Sequence, residues 1–426
     1  MSENDPLKSL ARAIQRLEDL IERLPLDVAK DLRARIATLR TVLLEKRPPA
    51  LVLVGRRGAG KSSLVNALFG AKVAELGHVT AQTGRGRWYT HERDGGAMEI
   101  LDTRGVQEGS APAEGDASGS ALESIAVELR AKAADVVVFV AKASEVDSAI
   151  DADLDALERV YEEIRHAHRS EPPLAVVVTH CDLLEPKSTQ LHREGDEPPE
   201  DVDEKKRHVG AAERALGKKI DARPRLHDRH VVTQGVSAYM SWRADGRLRA
   251  DERWRIAELA GALFHHLPDA SRAEFARVAR ARAVQEELAG SLTKATAAMC
   301  AAVAAVPVIP MSVIPLTTMQ AGLVAGIAWI GGRSLDRKGA LEFLTSLGTN
   351  VGVGLVFREL ARTVMKLVAP GAGSIVAAAV AFSGTMAIGG AARAYFIGGA
   401  SLQQARRIFR KARTKDTEGP GRRPDQ

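Results

Sequence analysis

The run "LVLVGRRGAGKSSLVNALFG", residues 51–70, limits the folds open to this 426-residue chain more than any other stretch. It satisfies the pattern Gly-x-x-x-x-Gly-Lys-Ser at Gly55, Gly60, Lys61 and Ser62, with an apolar run before it and a helical pattern after it. Glycines let backbone N–H groups surround phosphate oxygens, and a helix N-terminus adds positive potential. We therefore predict a phosphate-binding loop, in which Lys61 reaches the terminal phosphates and Ser62 offers a hydroxyl to Mg²⁺.

Short β-rich runs alternate with helical runs from about residue 50 to residue 268. The β-rich runs are "ALVLV", "MEIL", "DVVVFV", "LAVVVT" and "HVVTQGVSA", and the helical stretches include residues 120–133, 149–166 and 251–266. This alternation predicts an α/β fold with a doubly wound, mostly parallel sheet. Ligands of such a sheet bind beyond the carboxyl ends of its strands, which is where the remaining motifs fall.

Three further motifs each follow a predicted strand. They are "EILDTRG" with Asp102 and Gly105, "VVVTHCD" with Thr179, His180 and Asp182, and "GVSAY" with Ser237 and Ala238. An Asp in the first position holds Mg²⁺ through water, and the Gly gives its backbone N–H to a γ-phosphate. Each string is weak alone, but their order and their places at strand ends indicate the motif set of a GTPase.

On these motifs, residues 51–268 resemble a G domain of the Era-like branch (TRAFAC class) of GTPases. The resemblance implies that Thr83 in "VTAQTGR" closes over Mg²⁺ when GTP is bound, with Thr80 as the alternative. It also implies that Asp182 pairs with the N1 and N2 donors of guanine. The implied site comprises nucleotide contacts at Gly55, Gly58, Ala59, Gly60, Lys61, Ser62, Ser63, Thr179, His180, Asp182, Ser237 and Ala238, metal ligands at Ser62, Thr83 and Asp102, and catalytic groups at Lys61, Thr83 and Gly105.

Several positions depart from the family pattern. His180 stands in place of the usual Lys of the guanine motif, and Thr179 in place of the commoner Asn. Gly58 stands where potassium-activated relatives carry Asn, so we expect no potassium stimulation. Val106 follows Gly105 where Ras-like enzymes carry a water-positioning Gln, so unaided GTP hydrolysis should be slow. Two roles are open for the arginines in or near these loops. One of them acts as an arginine finger, in cis or across a dimer, or each is a plain solvated arginine; the residues are Arg56, Arg57, Arg85 and Arg87.

Three segments around these motifs have distinct compositions. Residues 1–48 carry apolar residues at spacings of three and four on both sides of Pro25, which predicts a helical hairpin that packs on its own chain or forms a coiled-coil dimer contact. Residues 106–119 are rich in Gly, Ser and Ala and are interpreted as a switch loop or a passive linker. Residues 185–229 are a charged insertion, for which we predict a solvated loop and one helix.

Residues 269–413 differ in character from the rest. Uncharged runs span residues 295–332 and 367–392, and prolines divide the first into helical stretches of about 18 and 25 Å, shorter than the ~30 Å apolar core of a bilayer. The region resembles the helical, membrane-associated domain of the YcjF type, on "VPVIP", "MQAGLVAGIAWIGG", "VAPGAG" and "SGTMAIGGAA". Shallow or re-entrant membrane helices and a soluble all-α domain with an Ala/Gly-rich core both fit these runs.

The sequence therefore predicts an N-terminal helical hairpin over residues 1–48, a G domain over 49–268, an all-α C-terminal domain over 269–413 and a disordered tail over 414–426. We expect a GTP-binding switch with slow GTP hydrolysis, using GTP and Mg²⁺, at the cytoplasmic face of a bacterial inner membrane. The polar N-terminus and the two widely separated cysteines, Cys181 and Cys300, fit a reducing compartment.

The expected partners are a guanine nucleotide, a membrane and an unidentified effector protein. A homodimer through the G domain or the N-terminal helices is a further option. Two other classes stay open: a dynamin-like membrane-remodelling GTPase, which needs long helical arms, and a soluble GTPase that binds RNA or the ribosome. The net charge of +6 permits the last, but no aromatic-basic platform is visible, so nucleic acid is not expected as a partner.

Overall fold

The computed structural model describes residues 44–74, 88–103, 121–147, 150–169, 171–305, 313–347 and 372–417, together with eleven separate positions between residues 11 and 41. The chain divides into two compact units. One contains the predicted sheet and comprises Pro48–Pro268 and Val278–Ala281. The other is helical and comprises Met1–Arg47, Asp269–Arg277 and Arg282–Gln426. The sequence places the first boundary of the G domain at residue 49 and the second at residue 268.

The sheet unit is built on six strands. These are β1 (Ala50–Val54), β2 (Trp88–Arg93), β3 (Gly96–Asp102), β4 (Val136–Lys142), β5 (Leu174–Thr179) and β6 (His230–Gly235). Their order is β2-β3-β1-β4-β5-β6, with β2 antiparallel to β3 and all other neighbours parallel. Strands β1 and β5 are buried along their whole length, as expected for parallel strands covered on both faces. The predicted α/β fold with a mostly parallel sheet is confirmed.

Among the described residues of this unit there are also six α-helices and a small hairpin. The helices are α1 (Lys61–Phe69), α2 (Ala121–Ala131), α3 (Ile150–Ala167), α4 (Pro199–Asp221), α5 (Pro224–His227) and α6 (Ile256–His266), and the hairpin pairs β7 (Met240–Trp242) with β8 (Leu248–Asp251). Helix α6 begins five residues later than the sequence predicts. The reason is that Asp251 pairs in β8 and Arg255 takes a left-handed conformation, with φ 56°, at the N-cap.

Helix α4 carries most of the charged insertion. The sequence predicts one helix in this insertion, whereas the structure adds the short helix α5 and a 3-10 helix at Leu191–Asp196. The apolar residues of α4 recur at helical spacing on one buried face. That face packs on β5 and β6 and joins the core of the sheet unit through Val202, Val209, Ala212, Leu216 and Ile220. The insertion is therefore partly an element of the core and not only a solvated loop with a helix.

The helical unit consists of long helices with small residues at their contacts. Its described helices are α7 (Asp269–Ala279, whose last two residues are assigned to the sheet unit), α8 (Arg282–Ala305), α9 (Val313–Ile330), α10 (Arg337–Ser346), α11 (Ala372–Phe396) and α12 (Leu402–Thr417). At the contact of α8 with α11, a Cβ on Gly389 would lie 2.1 Å from Thr293 Cγ2, so only glycine fits there. The predicted all-α C-terminal region is confirmed.

The described positions between residues 11 and 41 are all helical. Ile14 and Ile36 are buried, and Arg40 Nη1 donates a hydrogen bond to Glu18 Oε1 at 3.4 Å. Such a contact between positions 22 residues apart is expected if two helices fold back on each other, so the hairpin stays our interpretation of this segment.

Candidate nucleotide-binding site

The loop between β1 and α1 has the backbone that the phosphate-binding motif requires. Gly55, Gly58 and Gly60 have φ values of 153°, 77° and 91°, which favour glycine. A Cβ on Gly55 would lie 2.2 Å from the backbone oxygen of Val140, so a side chain there would displace the loop from β4. Gly60 caps the N-terminus of α1, whose first residue is Lys61. The loop backbone and the N-terminus of α1 therefore lie together, as a phosphate-binding loop requires.

Lys61 lies at the centre of this loop. Its side chain is buried, and its ammonium donates hydrogen bonds to the backbone oxygens of Gly55 and, at 3.0 Å, of Arg56. The same nitrogen lies 3.8 Å from Oδ1 of Asp102, which ends β3 beside β1. The neighbouring Thr103 fixes this strand end, because its hydroxyl donates to the Leu53 oxygen at 2.9 Å. The structure therefore brings the two predicted charged groups of the phosphate and metal site together.

The donors on this side of the loop suit Mg²⁺. Ser62, in the first turn of α1, offers a hydroxyl, and Asp102 offers a carboxylate. Mg²⁺ uses hard oxygen ligands of this kind beside nucleotide phosphates. Among the described residues, no group of three or more His, Cys, Asp and Glu side chains forms a metal cluster, and a site completed by phosphates needs none. The predicted Thr83, its alternative Thr80, and Gly105 lie outside the described residues.

The guanine motif starts where β5 ends. The Thr179 hydroxyl lies 2.6 Å from the backbone oxygen of Ala59, to which it donates, and 3.2 Å from that of Ala141. Ala59 belongs to the phosphate-binding loop and Ala141 to β4, so Thr179 joins the ends of two strands to that loop. His180 follows in a left-handed conformation, with φ 57°, and Asp182 lies in the short 3-10 helix Cys181–Leu183.

His180 brings no positive charge to this position near neutral pH. Burial lowers the pKa of its imidazole, and Lys142 lowers it further, while Asp182 acts in the opposite direction. The ring packs on the phosphate-binding loop, since a Cβ on Gly60 would lie 3.2 Å from its Cε1 atom. The lowered pKa therefore favours the neutral form of a ring that packs on the phosphate-binding loop.

Two basic residues lie near the loop: Lys142, which the sequence did not single out, and Arg56, one of the arginine-finger candidates. Lys142, at the carboxyl end of β4, pairs with Glu145 at 3.0 Å, and its Nζ would lie 3.7 Å from a Cβ on Gly58. The sequence signal that could have identified Lys142 is its place at the end of a predicted strand. Arg56 forms an ion pair with the buried Asp153 of α3 at 2.7 Å, so it is not a plain solvated arginine. Arg57 is exposed, and Arg85 and Arg87 lie outside the described residues.

The two segments predicted to contact the base meet in the structure. The Cys181 N–H donates to the Val236 oxygen at 3.4 Å, which places the turn of Asp182 beside the segment of Ser237 and Ala238. Ser237 also exchanges backbone hydrogen bonds with Trp254, so its N–H is already used. Of the predicted pair, Ala238 remains the candidate backbone donor to the base. The Ser237 hydroxyl is buried without a hydrogen-bond partner among the described residues.

Comparisons with known proteins show that part of the chain is similar to GTPases. Residues 50–180 match the model of a family described as "50S ribosome-binding GTPase". The chain is 34% identical over 146 residues to the tRNA modification GTPase MnmE of Cupriavidus necator, which is 29% of each chain. It is 42% identical over 62 residues to the small ribosomal subunit biogenesis GTPase RsgA 1 of Bacteroides thetaiotaomicron, 14% of this chain and 18% of that protein. The chain thus spans less than a third of the length of these relatives.

Solved structures that resemble the chain do so at low similarity. Toc33 from Arabidopsis thaliana in complex with Mg²⁺ and GMPPNP has a TM-score of 0.35 and 19% identity, covering 58% of this chain and 95% of Toc33. Era in complex with MgGDPNP and nucleotides 1506–1542 of 16S ribosomal RNA has a TM-score of 0.32 and 20% identity, covering 60% of this chain and 68% of Era.

Proposed function

Because residues 50–180 are a P-loop GTPase domain, for which GTP and Mg²⁺ are the nucleotide and the metal, we propose that the whole chain is a GTP-binding switch. It hydrolyses GTP slowly and acts at the cytoplasmic face of a bacterial membrane. The observation that carries the nucleotide part is the placement of Lys61: its buried ammonium lies between the loop carbonyls and Asp102, at the N-terminus of α1.

The phosphates would be held mainly by backbone and Lys61. The N–H groups of the loop and of the first turn of α1 point toward an anion, and Lys61 exchanges its carbonyl partners for phosphate oxygens. Ser62 and Asp102 would hold Mg²⁺, which neutralises charge on the β- and γ-phosphates. Thr83 stays our prediction for the group that senses the γ-phosphate.

Guanine would be selected by Asp182. A carboxylate accepts two hydrogen bonds from the N1 and N2 donors of guanine, a pattern that adenine does not offer. Thr179 links the start of this motif to the phosphate-binding loop at 2.6 Å, so base recognition and phosphate recognition share one framework.

Slow hydrolysis follows from the groups available near the γ-phosphate. Val106 has no polar atom to orient water, and no other water-positioning residue is assigned by the sequence. Arg56 is held by an ion pair to Asp153 at 2.7 Å, and supplying it as an arginine finger would leave a buried carboxylate without that partner. We therefore propose that rapid hydrolysis needs a group from a partner.

Three helices of the helical unit support the membrane part of the proposal. Among the described residues, α8 is the helix long and apolar enough to cross a membrane, and half of its most apolar stretch is buried within the protein. Its 24 residues give about 36 Å of helix. Residues Leu316–Ile330 of α9 form a shorter apolar helix. These features suit shallow attachment as well as a soluble core.

Helix α12 adds a basic surface to this unit. Residues 402–413 contain five basic residues and no acidic one: Arg406, Arg407, Arg410, Lys411 and Arg413. Arg407, Arg410 and Lys411 are exposed, and Ile408 between them is 40% exposed. A basic helix with an exposed apolar residue suits the interface of an anionic bilayer, where cations meet lipid phosphates.

A second candidate function is a GTPase that binds RNA or the ribosome. It is favoured by the description of the matching family as ribosome-binding and by the names of the two curated relatives, which concern tRNA modification and ribosome biogenesis. The same basic residues of α12 would then contact phosphates of RNA.

Vesicle flotation of the full-length protein separates these candidates. We expect the protein to float with vesicles that contain anionic lipid, to a different extent with GDP and with a non-hydrolysable GTP analogue. High salt should leave it bound, because apolar contacts are not screened. The control is residues 48–268, the main segment of the sheet unit, which should stay at the bottom of the gradient.

Two outcomes would contradict the membrane proposal. One is full-length protein that is monodisperse without detergent and never floats. The other is protein that leaves the vesicles when ribosomal RNA is added and sediments with the RNA instead.

A further inference from the structure

Lys205 of α4 is a buried lysine with no role in the account above. It has 0% exposure, and its ammonium donates to three backbone oxygens: those of Asp182 at 2.6 Å, Pro186 at 3.1 Å and Thr189 at 2.8 Å. An ammonium group has three hydrogens, so all three donors are used. The three acceptors belong to one segment, residues 182–189, which begins with the residue predicted to read guanine.

Two backbone hydrogen bonds of residues 182–189 join positions only three apart. The Leu184 N–H donates to the Cys181 oxygen at 3.4 Å, and the Thr189 N–H to the Pro186 oxygen at 3.2 Å. Leu183, at the centre of the turn, is 62% exposed and so does little to anchor the segment. One turn beyond Lys205, His208 Nδ1 lies 2.8 Å from the Glu185 oxygen. Helix α4 therefore fixes this segment through polar contacts with its backbone.

The position of Lys205 on the helix is unusual. Its neighbours on the buried face, Val202 and Val209, pack into the core, and an amphipathic helix would carry an apolar residue at this point. Burying an ammonium is costly unless every donor is bonded, and here every donor is. Burial lowers the pKa of Lys205, while the nearby Asp182 and Glu185 carboxylates raise it. The lysine is thus coupled to Asp182 both through its backbone and through its charge.

We propose that Lys205 is a positioning residue for Asp182: by bonding the oxygens of Asp182, Pro186 and Thr189, it holds the carboxylate ready to accept from the guanine 2-amino group. The inference rests on the proposed GTP binding and identifies a residue whose hydrogen bonds support base selectivity. It follows that the segment is in place before the nucleotide arrives, which reduces the ordering cost of binding.

The test compares GTP with ITP, whose base lacks the 2-amino group. Dissociation constants of both are measured on the full-length protein, by competition with a fluorescent guanine nucleotide. The wild type should prefer GTP, and Lys205→Met should lower the ratio of GTP affinity to ITP affinity about tenfold, because GTP has both its N1 and N2 contacts with Asp182 to lose whereas ITP has only the N1 contact. Lys206→Met is the matched control, because Lys206 is the adjacent exposed lysine, paired with Glu194 at 2.7 Å.

Two results would overturn the inference. Equal loss of GTP and ITP affinity in Lys205→Met would assign Lys205 a general role in stability. An unchanged ratio in a folded variant would show that Asp182 needs no such support. Lys205→Gln, which keeps an amide donor, should give an intermediate ratio. A wild type without preference for GTP over ATP would instead remove the proposed function, so the two failures are distinguishable.

A measurement on the wild type covers the case in which the variants do not fold. Hydrogen exchange of the nucleotide-free protein should show protected amides at Leu184 and Thr189, because the segment is already held by α4. Amides that exchange freely and become protected only with nucleotide would contradict the inference.

Discussion

Lys61→Ala is expected to abolish nucleotide binding, with a rise in Kd for both GTP and GDP of at least about 100-fold. The Lys61 ammonium is the cation that the structure places inside the phosphate-binding loop, bonded to the Arg56 oxygen at 3.0 Å and 3.8 Å from Asp102. Without it, the phosphates would lose the ammonium beside them, and Mg²⁺ alone would offset their charge and that of Asp102. Fluorescent nucleotide titration of the folded variant checks this expectation.

The control for this variant is Lys72→Ala, which removes an exposed lysine shortly after α1. It should bind as the wild type does. Thermal unfolding of both variants separates loss of binding from loss of fold. If Lys61→Ala keeps GDP affinity within a few-fold of the wild type, the assignment of this loop as the phosphate site is wrong.

Asp182→Asn should change the base preference of the protein from guanine to xanthine. We expect GTP affinity to fall about 100-fold and xanthosine triphosphate to become the preferred ligand. The carboxylate accepts from the N1 and N2 donors of guanine, whereas xanthine carries an oxygen at the second position, which an amide N–H₂ can satisfy. Competition titrations with the two triphosphates measure the ratio directly.

The matched control is Glu185→Gln, an exposed carboxylate in the same segment. Its GTP preference should be unchanged. An Asp182→Asn protein that still prefers GTP would mean that another group reads the base, and a loss of all nucleotides alike would indicate a collapsed segment.

Much of the sheet unit could be predicted from sequence because its signals are local. The parallel strands are short apolar runs, and each functional motif follows one of them, as with Asp102 after β3 and Asp182 after β5. Glycine at positions of positive φ, such as Gly58 and Gly60, is a further local signal. The alternation of strands and helices was enough to predict the fold, and the order of the motifs along the chain was the basis for predicting the site.

Contacts between distant parts of the chain were not predictable in this way. Residues 185–229 looked solvated because they are highly charged, yet α4 buries Lys205 against backbone oxygens that composition does not reveal. The signal present was the spacing of Val202, Val209 and Leu216 on one helix face. In the helical unit, Lys46 pairs with Glu274 at 3.1 Å, a contact across 228 positions with no local sequence signal.

The switch residues remain predictions of the sequence alone. Thr83, Thr80 and Gly105 lie outside the described residues, so their roles rest on spacing from Lys61 and Asp102 and on the family resemblance. The same holds for Val106 and for the slow hydrolysis inferred from it.

Titration of the full-length wild-type protein with fluorescent GTP, GDP and ATP in the presence of Mg²⁺ tests the central claim most directly. The account predicts that GTP and GDP bind at least about tenfold more tightly than ATP, because Asp182 recognises donors that adenine lacks. Equal affinities for guanine and adenine nucleotides, or no binding of any of them, would contradict it.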